Sequence, residues 1–349
     1  MPETTLPHPP SNPYPYLLGE GGMSRVYRTS ETKATKIIPI MNRPLPGART
    51  EMGELYASPE GFYWNEELLT FQNKKELSRL QAAVREYSLL EELEEKRIKC
   101  IVRAESLYFT MVKGYLQANI VLGFIEGRET STITKEDDSL PEVAKILADT
   151  SSTLEALASL GIVHRDIKPG NLMYTADGSP GKGITTLIDF GIAERSQEEE
   201  EDLPLPLGSI CTQSSLFHRE AGTSFYFSPE RLKEDQRGDY RTDWFALGLT
   251  AYKLLMGSSA PLSPDYHLLL KQPSRFQAWT NFHFQRLTKY DNFQRDVLMG
   301  ILWQDGCPKG LAEAIGLCLD VVPERRDIQP LIREAKKVAG IGPQGEGYF

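Results

Sequence analysis

Between positions 162 and 191 the chain reads Ile162-Val163-His164-Arg165-Asp166-Ile167-Lys168-Pro169-Gly170-Asn171-Leu172 and, after Leu187-Ile188, Asp189-Phe190-Gly191. His164, Arg165, Asp166, Asn171, Asp189, Phe190 and Gly191 stand in a fixed order. At average composition each matches by chance about one time in twenty, so the seven together have odds on the order of 10⁻⁹ per starting position. Coincidence is excluded, and any fold assigned to the chain must account for this arrangement.

The surrounding sequence sorts into two parts. Six prolines within residues 1–16 remove backbone donors and helical angles, which marks an extended tail. Val26-Tyr27 and Lys36-Ile37-Ile38 read as strands flanking a glycine cluster, and 106–111 and 118–125 read as two more. Residues 41–72 carry Pro44, Pro46, Gly47, Pro59 and Gly61 without a clean period and read as an insertion. Asn73, with Glu76 three positions on, caps a long amphipathic helix whose stripe is Leu77, Leu80, Val84, Tyr87, Leu90 and Leu93. A second helix starts near Pro141, buries Val143, Leu147, Thr150, Leu154 and Leu157, and stops at Gly161. The chain changes from β-rich to helical near Gly127, and the segment 244–256 is apolar enough to be buried on most sides. No internal repeat is present.

Leu18-Gly19-Glu20-Gly21-Gly22-Met23-Ser24-Arg25-Val26 is a candidate phosphate cradle, since glycines let backbone amides approach a phosphate chain and Val26 can cover an adenine ring. Taken alone it is equally a simple turn. On the next strand, alternation puts Ala34 and Lys36 on one face, where a lysine ammonium can hold phosphates. Glu86 shares a helix face with Ala83 and Leu90, so it points inward with the apolar stripe, and a carboxylate there needs a cation, with Lys36 the obvious one. Glu91, Glu92, Glu94 and Glu95 read as a solvated face.

These motifs, from Leu18 to about Arg326, resemble the protein kinase superfamily, serine/threonine branch, and in particular the bacterial eukaryotic-like serine/threonine protein kinases. The resemblance implies an α+β, bilobal protein kinase fold: a small antiparallel β-sheet N-lobe with one long helix over 17–126, and a larger, mainly helical C-lobe over 127–339. It further implies a long activation segment at 189–230, a second insertion at about 258–310, and a flexible tail at 340–349. The implied cofactors are ATP and Mg2+, and the implied partners are protein substrates.

Phosphoryl transfer asks for positioning and charge neutralisation, and the resemblance distributes those roles. Asp166 takes the proton of the substrate hydroxyl, and Lys168 reaches the transferred group. Asn171 and Asp189 are hard oxygen ligands for magnesium. Lys36, paired with Glu86, holds the non-transferred phosphates; Leu18, Gly19, Glu20, Gly21, Gly22, Ser24, Val26 and Ala34 line the nucleotide site. His164 is a packing and hydrogen-bonding residue. Lys168 itself points to the serine/threonine branch rather than the tyrosine branch.

The segment 222–230, Gly-Thr-Ser-Phe-Tyr-Phe-Ser-Pro-Glu, resembles the family's substrate-docking stretch, with Ser228 in place of the usual alanine. By that resemblance Thr223 positions the substrate hydroxyl, Glu230 pairs with Arg326, and Asp243 anchors the catalytic-loop backbone. Arg165 is expected to meet a phosphate on the activation segment, carried by Ser214 or Ser215. The run 198–202, Glu-Glu-Glu-Glu-Asp, is an alternative anion or simply a solvated face. Ser24 replaces the third glycine of the loop and Gly123 stands where the hinge often has a glutamate.

Bulk properties narrow the rest. A net charge of −9 argues against nucleic acid as a partner. Four scattered cysteines without a Cys-x-x-Cys pair suggest neither a zinc site nor a disulfide framework and fit a reducing, cytoplasmic setting. No apolar run approaches the roughly 18 to 20 residues of a membrane span. Oligomeric state is not readable. A pseudokinase scaffold is disfavoured because Lys36, Glu86, Asp166, Asn171 and Asp189 are all intact, and a small-molecule phosphotransferase by Lys168 and the docking stretch.

Overall fold

The computed structural model describes residues 15–20, 24–40, 54–56, 74–112, 115–133, 139–179, 181–195, 226–232, 238–257 and 293–342. Gly21, Gly22, Ser214, Ser215 and Thr223 lie outside them, as do 1–14, 343–349 and the aromatics of 276–284. The chain divides into two compact units, the first running to Leu93 and resuming over Arg103–Ile125, the second taking Glu94–Val102 and everything from Glu126.

The first unit is a six-stranded antiparallel sheet with one long helix. Strands β1 (Tyr16–Glu20), β2 (Arg25–Arg28), β3 (Lys33–Pro39), β4 (Glu54–Tyr56), β5 (Ala104–Val112) and β6 (Tyr115–Gly123) lie in the order β1-β2-β3-β6-β5-β4. Register is set by β3 against β6, where Lys36 faces Ile120 and Ile38 faces Ala118. The buried face carries Ala34, Ile38, Phe109, Leu116, Ala118 and Ile120. Between β1 and β2 the register slips at Leu17/Gly19, a bulge that leaves Leu18 without a paired residue. Strand β4 falls inside the stretch read as a patternless insertion; three residues opposite Tyr108, Phe109 and Thr110 are too few to display a period.

Helix α1 (Lys74–Glu95) buries Leu80, Ala83, Val84, Leu90 and Leu93 at three- and four-residue steps, and Glu86 lies on the same stripe at 4% exposure. Residues 94–102, assigned by sequence to the first lobe, belong to the second unit for a backbone reason. Leu187 N–H donates to the Cys100 carbonyl at 2.8 Å, Val102 N–H donates to the Leu187 carbonyl at 2.9 Å, and Ile101 bridges Leu187 in parallel.

The second unit is built around helix α2 (Leu140–Ser159). Its start is fixed by Pro141 in the first turn and by a Ser139/Glu142 capping box, in which the Ser139 backbone N–H donates to the Glu142 carboxylate at 3.3 Å. Gly161, at φ 69°, ends it in the left-handed region. Val143, Leu147, Thr150, Leu154 and Leu157 are all buried; each fully buried leucine contributes about 1.5–3 kcal/mol.

Short strands β7 (Arg128–Glu129), β8 (Ile162–Val163), β9 (Leu172–Thr175), β10 (Ile184–Leu187) and β11 (Glu194–Arg195) form two small sheets, β10-β9-β7 and β11-β8. Asp149 of α2 joins β10 to the helix: its carboxylate accepts Thr185 N–H at 3.0 Å and both Lys145 contacts at 2.6 Å.

Helix α3 (Arg241–Met256) is buried along most of its length and stops at Gly257, φ 68°. Helices α4 (Phe293–Gln304), α5 (Lys309–Cys318) and α6 (Gln329–Val338) follow. Helix α4 occupies the end of the stretch read as a second insertion, and its Leu298 and Leu302 are buried, so this portion is core. Among the described residues no helix is long and apolar enough to cross a membrane.

Candidate active site

In the first unit the expected nucleotide-site residues fall on three adjacent strands. Leu18, Gly19 and Glu20 lie on β1, Val26 on β2, and Ala34 and Lys36 on β3, with Ser24 just before β2. Arg25 Nε donates to Glu20 at 2.9 Å and closes the base of the β1–β2 turn. Lys36 Nζ donates to both carboxylate oxygens of Glu86, at 2.7 and 2.9 Å, and the two residues are 7% and 4% exposed. Two opposed charges removed from water this way hold each other in one geometry, because either alone would carry a large desolvation cost.

In the second unit, residues 164–171 form a loop whose backbone is held from below by α3. Asp243 is buried, and its two oxygens accept the N–H groups of His164 at 2.7 Å and Arg165 at 2.8 Å. Burial pushes the Asp243 carboxyl upward, while the His164 and Arg165 amides and Arg231 act in the opposite direction. His164 accepts the Asp166 N–H on Nδ1 at 3.3 Å, which leaves Nε2 to donate to the Ile188 carbonyl at 3.1 Å. Its ring also stands edge-on to Phe190 with centroids 4.8 Å apart. His164 therefore ties residues 164–171 to residues 188–190.

The Asp166 carboxylate is gripped from two sides: Lys168 Nζ donates to Oδ2 at 2.6 Å and Asn171 Nδ2 to the same oxygen at 2.9 Å. Asn171 Nδ2 also donates to the Asp166 carbonyl at 2.8 Å. Asn171 closes a short 3-10 turn over Pro169–Asn171, whose Pro169 carbonyl accepts Thr130 Oγ1 at 2.9 Å. Strands β9 and β10 then return the chain to Asp189, where Ile188 N–H donates to the Asn171 carbonyl at 3.0 Å. Asp189 is exposed and takes φ 63°, a conformation that non-glycine residues adopt at a cost and that is common at functional turns.

Arg165 is 6% exposed, has φ 71°, and forms an ion pair with Glu194. The Arg165 carbonyl accepts Arg231 Nη1 at 2.6 Å, and the Arg231 guanidinium lies 4.0 Å over the Phe227 ring. Burial, with the like charge of Arg165 second, brings Arg231 down to about 10. Neither Glu194 nor Arg231 was singled out from sequence, since a single acid or base in a polar stretch carries no signal until the fold places it. Glu230, in contrast, meets Arg326 through bonds of 2.5 and 2.8 Å, and Arg326 also donates to the carbonyls of Asp320 and Arg241.

The second unit thus presents a carboxylate held by a lysine and an asparagine together with an exposed second carboxylate after a short hairpin, and the first unit presents a buried lysine–glutamate pair. The sequence pattern of the protein kinase domain matches residues 69–326, well over half of the chain, and the chain belongs to the protein kinase family. The matched stretch begins after Lys36, so β1–β3 lie ahead of it.

Relatives include a probable serine/threonine-protein kinase of Clostridium perfringens, 34% identical over 40% of this chain and 18% of the relative. Serine/threonine-protein kinase PknB of Mycobacterium leprae is 29% identical over 44% of the chain and 23% of its own length. Serine/threonine-protein kinase PknE of Mycobacterium bovis is 27% identical over 69% of the chain and 34% of its own length. The resemblance to the bacterial serine/threonine branch is borne out by these relatives, although the alignments span only between 18% and 34% of their lengths.

Proposed function

We propose that this chain is an ATP- and magnesium-dependent protein kinase that transfers the γ-phosphoryl group to serine and threonine hydroxyls of proteins, itself included. The observation that carries the reading is the Asp166 carboxylate, fixed at one oxygen by Lys168 and Asn171. In this reading Asp166 orients the acceptor hydroxyl and takes its proton, and Lys168 neutralises charge on the transferred group. Lys36, oriented by Glu86, holds the non-transferred phosphates, while the β1–β2 turn, Val26 and Ala34 enclose the nucleotide. Thr223 contributes to substrate docking.

The donor set suits magnesium. The Asn171 amide nitrogen donates to both the Asp166 carbonyl and its carboxylate, so its carbonyl oxygen, together with the Asp189 carboxylate, would be the group to hold the ion. Among the described residues no cluster of three or more His, Cys, Asp or Glu could hold a metal. Two protein ligands completed by phosphate oxygens and water is the arrangement magnesium favours. When bound, the ion would offset charge on the phosphates and bridge them to the protein. The free thiols of Cys100, Cys307 and Cys318 favour a reducing, cytoplasmic setting.

The test is transfer of radiolabelled γ-phosphate from magnesium–ATP to a generic protein substrate and to the chain itself. Label is expected on serine and threonine, lost with EDTA and reduced about 10²- to 10⁴-fold in Asp166→Asn. ATP binding without transfer to any protein would overturn the reading.

A further inference from the structure

Arg165 stands next to the carboxylate that the proposed reaction depends on, and its guanidinium is removed from water. A buried guanidinium needs an anion, and here the anion is built into the chain. Glu194 lies on β11, where antiparallel pairing sets Glu194 against Val163 and Arg195 against Ile162. Two residues beyond Val163 is Arg165, so the short sheet delivers the Glu194 carboxylate to the arginine and forms the ion pair. The same strand is fixed a second time, by Arg195 Nη1 on the Leu160 carbonyl at 3.3 Å.

Two other acids near Arg165 among the described residues are engaged elsewhere as well: Asp243 receives the His164 and Arg165 amides, and Asp166 receives Lys168 and Asn171. Arg231 adds a second guanidinium at the Arg165 carbonyl, 2.6 Å away. Loss of Glu194 would leave the like charges of Arg165 and Arg231 less compensated, and the added repulsion would act on a backbone held at φ 71°. Asp243 thus holds Arg165 at its N–H, Arg231 at its carbonyl and Glu194 at its side chain. The direction in which the next residue, Asp166, presents its carboxylate follows from that backbone.

We infer that Glu194 is a positioning residue that anchors the catalytic loop through Arg165, so that the chain supplies this arginine's anion itself and needs no phosphate on Ser214 or Ser215 to be active. A phosphorylated serine docking on Arg165 would have to displace a carboxylate already delivered by strand pairing. The inference rests on the kinase reading above and adds to it the source of the activating charge.

The experiment compares initial rates of the full chain before and after phosphatase treatment, with complete dephosphorylation verified by mass, alongside Ser214→Ala/Ser215→Ala, Glu194→Gln and Glu194→Asp. The dephosphorylated chain and the double-alanine form are expected to keep kcat within about twofold. Glu194→Gln is expected to lower kcat about ten- to hundredfold, KM for ATP moving less than about threefold, with partial recovery in Glu194→Asp. Should Glu194→Gln not fold, the phosphatase comparison decides alone, since it needs no substitution. Activity that disappears on dephosphorylation, or a Glu194→Gln form with wild-type kcat, overturns this inference while leaving the kinase reading intact. An untreated chain that transfers no phosphate overturns both.

Discussion

Lys36 Nζ lies 2.7 Å from one carboxylate oxygen of Glu86 and 2.9 Å from the other, although 50 positions separate the two residues. The pair joins the middle of a sheet to the middle of a helix, and both partners are buried. Stability and activity respond differently to its loss. Lys36→Met or Glu86→Gln alone is expected to cost about 3–5 kcal/mol, because each breaks a buried ion pair by removing one of its two charges. The double apolar form, Lys36→Met with Glu86→Leu, is expected to recover most of that stability in urea unfolding. Under the proposed function, turnover should stay about 10²- to 10³-fold down in all three, since the cation proposed to hold the phosphates, or its orientation, is gone.

The Asp243 carboxylate holds two backbone amides at once, and an asparagine there can accept only with its single oxygen. Asp243→Asn is expected to lower stability by about 1.5–3 kcal/mol, the range for hydrogen bonds to a charged group. Because the amides belong to His164 and Arg165, kcat should fall about tenfold or more, which single-turnover kinetics at saturating ATP would read. Wild-type kcat in a destabilised protein would detach this aspartate from the loop's function.

Arg326 uses three nitrogens on three partners, the Glu230 carboxylate and the carbonyls of Asp320 and Arg241, and it stacks at 4.9 Å on Phe245. Lysine cannot reproduce that planar fork. Arg326→Lys is therefore expected to destabilise nearly as much as Arg326→Ala, by about 3–5 kcal/mol, and thermal unfolding of the two forms side by side checks it.

Burial pushes the thiols of Cys100 and Cys307 up to about 11 and that of Cys318 to about 12, from an ordinary 9.0. At pH 8 a thiol at 11 is ionised to about one part in a thousand, so all three should alkylate slowly in the native protein and rapidly in urea. The labelling rate should climb with pH up to about 11. Unfolded thiols ionise near 9 and folded ones near 11 or above. Their contribution to stability is therefore complete below pH 9 and lost as the pH rises toward 11, which pH-dependent unfolding at constant salt would register.

What could be read from sequence divides by range. The residues of 164–171 and 189–191 are contiguous and carry their meaning in order, and helix periodicity was enough to put Glu86 on the buried stripe of α1. The capping box at α2 is also legible, since Ser139 and Glu142 stand three apart before an apolar run, and it adds to the boundaries that Pro141 and Gly161 mark. Elements that exist through distant partners were not legible. Strand β4 is three residues long and is defined by β5, and residues 94–102 owe their place to backbone bonds with Leu187. Glu194 and Arg231 have ordinary residue types in ordinary surroundings, and only the β8–β11 pairing and the turn at Pro229–Leu232 bring them to Arg165.

Arg165 and Asp189 both adopt backbone angles that glycine takes freely and side-chain-bearing residues do not, at φ 71° and 63°. Each such residue raises the free energy of the folded state by about 1–3 kcal/mol. Glycine at either position should therefore offset some of its lost side-chain contacts through an easier backbone, even as the chemistry disappears. A library of this chain selected for heat resistance alone would be drawn toward inactive sequences at these two positions. Directed evolution of a hardier enzyme would have to select for turnover at every round and seek its added stability elsewhere, in the surface of α4–α6 for example.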